Sequence, residues 1–99
     1  MPLRISLHPL ALTEFLDAVD FYAEDSQCAS LRFIEEIEQS LDEIRQFPLR
    51  YPRYHGPYRV KHLTDWEYSI LYRVVKEVVR VNAIAHQKSE PDYWLGREW

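Results

Sequence analysis

The apolar spacing of this chain changes period at Pro48, and that change limits the fold more than any other feature of the sequence. Before it, Phe33, Ile37, Leu41 and Ile44 recur at helical steps with Ile34 beside them, which predicts a helix from about Cys28 to Gln46. Leu12, Leu16, Val19 and Ala23, flanked by Phe15 and Tyr22, predict an earlier helix from about Leu10 to Glu24. Only Asp25-Ser26-Gln27 separates the two, so they should form an antiparallel hairpin. Phe47-Pro48 stops the second helix, because proline disfavours helical geometry in the residue before it.

After Pro48 the pattern alternates. Leu49 to Pro57 reads as a loop, held open by Pro48, Pro52, Gly56 and Pro57. Tyr58–Leu63, Glu67–Val75 and Val78–His86 read as strands, with Lys76-Glu77 as a tight turn between the last two. Leu3 to Leu7 is a further short strand, ended by His8-Pro9, and the tail from Pro91 to Trp99 reads as one helical turn. The predicted order is β-α-α-β-β-β: a single α+β domain over 1–99, its helical hairpin packed on a small, mainly antiparallel sheet. The first strand should join an edge of that sheet.

Charge divides at the same place. Through Phe47 ten acids face three bases; from Pro48 onward nine bases face six acids. The net charge of -4 therefore hides a basic second half, able to present a cationic face on an acidic protein. The apolar runs are too short and too charged to span a bilayer, so no membrane partner is expected. Cys28 is the only cysteine and the N-terminal residues carry no secretory pattern, which points to a reducing cytoplasm.

Strand parity collects Arg59, Lys61, Arg73, Arg80, Asn82 and His86 on one sheet face, opposite an apolar face for the helices. Such a face holds phosphates through paired arginine hydrogen bonds, and Tyr54, Tyr93 and Trp94 add rings able to stack on bases. A solvated outer face dotted with charges explains the same pattern. His86 is a candidate acid or base toward a ribose 2′-hydroxyl or a leaving oxygen. The histidines are too dispersed for a metal site, and Gly56 and Gly96 make no phosphate loop, so no metal or cofactor is expected.

The ordered set of His8-Pro9, Phe21-Tyr22, Arg32-Phe33, Tyr58-Arg59-Val60, Tyr68 to Val74, Ala85-His86, Pro91-Asp92-Tyr93-Trp94 and Arg97 resembles the RelE/ParE superfamily of type II toxin–antitoxin toxins. The resemblance covers essentially the whole chain. It implies a growth-inhibiting, plasmid-stabilising toxin neutralised by a cognate antitoxin, as a homodimer or a toxin–antitoxin hetero-oligomer. RelE-like members cut mRNA in the ribosomal A site without a metal; ParE-like members poison DNA gyrase. Under the first activity His86, Tyr93 and Arg73 are the implied catalytic residues. Target contacts under either fall to Arg59, Lys61, Arg80, Lys88, Trp94 and Arg97. The hairpin of N-terminal helices, the acidic balance and the lack of a dense lysine cluster tilt the expectation toward ParE-like action. An inactive interaction module with the same fold is the third reading.

Overall fold

The computed structural model describes residues 2–99 and orders the chain as β1 (Arg4–Leu7), α1 (Pro9–Asp25), α2 (Gln27–Gln46), β2 (Arg53–His55), β3 (Tyr58–His62), β4 (Tyr68–Val75) and β5 (Val78–His86). One five-stranded sheet runs β1-β5-β4-β3-β2. Only β1 pairs in parallel, with β5, and it forms an edge as the sequence predicts. Among the described residues no helix is long and apolar enough to cross a membrane.

Capping explains how tightly the helices follow one another. His8 caps α1: its Nδ1 accepts from the Leu10 N–H at 3.0 Å, and Pro9 takes the first helical position, where no N–H is needed. Ser26 serves both helices. Its N–H donates to the Tyr22 carbonyl and closes α1, while its Oγ accepts from the Ala29 N–H at 2.9 Å and opens α2. The predicted break of three residues therefore shrinks to this one.

The helix α2 buries the predicted stripe, with Phe33, Ile37 and Ile44 inside and Leu41 at its margin. The stripe predicted for α1 is different. Leu12 and Leu16 are 46% and 51% exposed, while Ala11 and Ala18 are fully covered, with Phe15 and Tyr22 packed beside them. The helix lies against both α2 and β5, and alanine at the contact lets its backbone come close. The two leucines of the predicted stripe thus face away from the core, while Val19 packs against it.

Two strand assignments change as well. Arg53–His55, predicted as loop, adds a short antiparallel edge strand to β3 across a turn in which Gly56 takes a φ of 53°. In β5 the pairing skips a residue: Leu71 pairs with Ala83 and Tyr72 with Val81, so Asn82 bulges without a partner. The bulge reverses side-chain parity along the rest of β5. Ile84 joins the helix-side core, and Ala83 and Ala85 turn to the other face. The Lys76-Glu77 turn is as predicted, with φ of 51° and 54°, the left-handed geometry that glycine usually supplies in such turns.

Tyr72 ties the sheet to the end of α2. It is fully buried and its hydroxyl donates to the Pro48 carbonyl at 2.6 Å. Burial raises its phenol from 10.0 to about 12. The folded state then holds that proton more tightly than the unfolded state does. Ionising it therefore costs the folded state roughly 2–3 kcal/mol more than the unfolded state, so stability is undiminished below the ordinary phenol range and falls by about that amount as pH rises through about 12. Chemical denaturation across that range should show the fall, and Tyr72→Phe should make it shallower while losing about 1 kcal/mol at neutral pH. Tyr22, Tyr51 and Tyr68 are also raised by burial, so some slope remains in the variant.

Candidate functional site

The sheet face away from the helices carries the site. Tyr58 and Val60 of β3, Ser69, Leu71 and Arg73 of β4, and Arg80, Ala83 and Ala85 of β5 face outward there. Trp94 from the tail is 3% exposed and covers Val60, Leu71, Ala83 and Ala85 as a second small core. The tail makes successive turns from Pro91 to Gly96, with Asp92 at a φ of 62°, and not the helical turn the sequence suggests.

Three anchors hold that tail. Glu14 on α1 receives both terminal nitrogens of Arg97, at 3.0 and 2.8 Å, and the hydroxyl of Tyr93. The same carboxylate accepts from the Ile84 N–H at 3.1 Å, while Arg97 donates to the Asn82 carbonyl at 3.0 Å. Both backbone groups are on the edge of β5 beyond its pairing with the four-residue β1. One ion pair therefore closes an open sheet edge and fastens the tail. The Asn82 side chain adds the second anchor, donating to the Trp94 carbonyl and accepting from the Trp99 indole at 2.8 and 2.9 Å. The third is His8, whose Nε2 donates to the Glu98 carbonyl at 2.7 Å.

Between tail and sheet lies a cleft of about 500 Å³. Its floor is Val60, Leu71 and Ala85; Tyr54, His86, Tyr93 and Trp94 form its walls. His62 Nδ1 and Ser69 Oγ share a 2.6 Å hydrogen bond inside it. Glu90 and Asp92 are its charged residues, and no lysine or arginine lines it. Asp92 lies beside Tyr54 and, as the largest influence, raises that phenol.

The predicted site residues separate into groups. His86 and Tyr93 meet at the cleft, with Trp94 beside them. His86 accepts the Lys88 N–H on Nδ1 at 3.0 Å, which leaves Nε2 toward Glu67 at 3.4 Å. Tyr93 is raised above the ordinary phenol range, first by burial and then by its bond to Glu14. Arg97 is raised through Glu14.

Arg59 and Lys61 correct the parity argument. Their partners Tyr72 and Ile70 belong to the helix-side core, so both point away from the outer face. Arg59 donates to the Tyr51 carbonyl at 2.8 Å, and Lys61 to Ser40 of α2 at 2.9 Å, close to Glu43. Of the predicted basic face, Arg73 and Arg80 remain as direct cross-strand partners. The rings proposed for base stacking are engaged too: Trp94 packs edge-on to Tyr58 at 4.9 Å, and Tyr93 lies under the Arg97 guanidinium at 5.1 Å. Sequence reasoning missed Glu14 and the His62–Ser69 pair as site elements, and put Asn82 on the cationic face without its role as a tail anchor. The only signal for Glu14 is a carboxylate next to the buried α1 stripe, which says nothing of the tail.

Comparison with known proteins adds two findings. The family described as ParE toxin of type II toxin-antitoxin system, parDE, matches residues 5–91. A solved structure titled "Chromosomal ParDE TA system from P. aeruginosa" superposes with a TM-score of 0.75 over 85% of this chain and 95% of that one, at 16% identity. At that identity the likeness speaks for the fold. No curated protein sequence matches.

Proposed function

The chain belongs to the ParE toxin family of type II toxin–antitoxin systems, and from that premise we propose that it inhibits DNA gyrase by binding and does not cleave RNA. An antitoxin is its partner in such a system. The observation that carries the binding reading is the charge of the cleft. A cleavage site must stabilise the extra negative charge of a pentacovalent phosphate, for which enzymes use cationic donors. The cleft that holds His86 and Tyr93 is lined by two carboxylates and by no lysine or arginine. Of the cations named for phosphate, Arg59 and Lys61 are tied down on the helix side, and Arg73 and Arg80 are on the outer face but do not line the cleft. Tyr93, with its proton held more firmly than usual, is a poor general base near neutral pH.

One observation favours RNA cleavage: His86 and Tyr93 do line the same cleft. Expression of the chain without antitoxin separates the two activities. Binding to gyrase predicts growth arrest, intact transcripts and loss of supercoiling by the purified enzyme, all unchanged in His86→Ala. Cleaved transcripts that become intact in His86→Ala would reverse the assignment. No arrest at all would leave the chain an interaction module.

A further inference from the structure

Arg73 and Arg80 face each other across β4 and β5 on the outer sheet face. Like charges in direct cross-strand register are destabilising. Among the described residues no carboxylate lies within 4.0 Å of either guanidinium. The Nε of Arg73 is buried and has no hydrogen-bond partner. Each guanidinium is instead held over a ring, Arg73 over Tyr58 at 5.5 Å and Arg80 over Trp99 at 5.2 Å. The pair is thus built and oriented, and its charge is uncompensated. Arg4 on β1 extends the patch, since its neighbour Ser6 pairs with Arg80 and both point outward.

We propose that Arg73 and Arg80 form a carboxylate-binding site that receives an acidic side chain of the antitoxin. The partner's identity rests on the toxin-family reading above; the carboxylate chemistry does not. Two arginines on directly paired residues place two planar cations in one patch, each able to take a carboxylate through its outer nitrogens. A nucleic acid fits less well. One face of Tyr58 and one of Trp99 are already taken by the two arginines, and Trp99 meets His8 edge-on at 5.3 Å, which leaves less ring surface for stacking. The chain's net charge of -4 also repels a long polyanion, whereas a single carboxylate needs only local contact.

The test has two arms. In the first, N-acetyl-glutamate N-methylamide is titrated into the ¹⁵N-labelled chain while the arginine Nε–H signals are followed. The Arg73 and Arg80 signals should move saturably, and the glutamine analogue should leave them in place. Static signals overturn the site; tenfold tighter binding of inorganic phosphate overturns the protein carboxylate. In the second, the chain is titrated with the antitoxin encoded beside it. Arg73→Gln and Arg80→Gln should each weaken the complex roughly tenfold to a hundredfold, and Arg73→Lys less. Affinities within twofold of wild type in folded variants overturn the antitoxin assignment. If the wild-type chain binds no antitoxin, the family-based partner fails, and the first arm still decides the site. The first arm also stands if a variant does not fold.

Discussion

Glu14→Ala should destabilise the chain by at least about 3 kcal/mol, a large part of the 5–15 kcal/mol typical of a domain. The side chain of Arg97 is 11% exposed and its carboxylate partner is Glu14. Removing the acid leaves a largely buried guanidinium with one backbone carbonyl, and breaking such pairs typically costs about 3–5 kcal/mol. The orphaned Ile84 N–H adds to the loss. Glu14→Leu combined with Arg97→Met should recover most of it, because an apolar pair of similar volume replaces a buried ion pair at little net cost. Urea denaturation of the two single variants and the double variant reads the coupling. Additive losses would show that the pair does not act as a unit.

Periodicity made most of the architecture legible. The α2 stripe, the helical hairpin, the β4–β5 turn and the edge position of β1 all follow from local spacing and capping chemistry. The α1 face did not, and the reason is steric. Hydropathy favours Leu12 and Leu16, but the contact with β5 selects small residues, and alanine carries little signal in a sequence. The edge strand Arg53–His55 was hidden by the prolines around it, which permit pairing at a sheet edge.

The site was legible only in part. Parity is a local rule and fails wherever a strand takes an extra residue. Nothing in Val81-Asn82-Ala83 announces the bulge, yet it turns Ile84 to the helix side, while His86 at the strand end still lines the cleft. Arg59 and Lys61 failed differently. Cations flanking a sheet look like a ligand surface, but α2 and the loop after it supply acceptors that the strand sequence does not contain. His86, Tyr93 and Trp94 are neighbours, as the motif suggested. What surrounds them is set by Glu14, far away in sequence.

Trp94→Ala is the second large effect. Replacing a buried tryptophan by alanine costs about 3–5 kcal/mol, from lost burial and from the cavity left behind. For a domain this size each kcal/mol lowers the melting temperature by roughly 4–8 °C, so the midpoint should drop by well over 10 °C. The loss falls on the outer face alone. Phe33, Ile37 and Val79 belong to the helix-side core, which Trp94 does not touch, so backbone circular dichroism should stay close to wild type until melting. Trp94→Phe keeps a ring over Leu71 and Ala83 and should lose less. The informative variant combines Trp94→Ala with Glu14→Ala. Both remove an anchor of one tail, so the second loss should be smaller than in the wild-type background, by about 1–3 kcal/mol. Full additivity would mean that the ring and the ion pair hold separate segments. The cleft would then be a rigid feature of the sheet and not something the tail creates by docking as one piece.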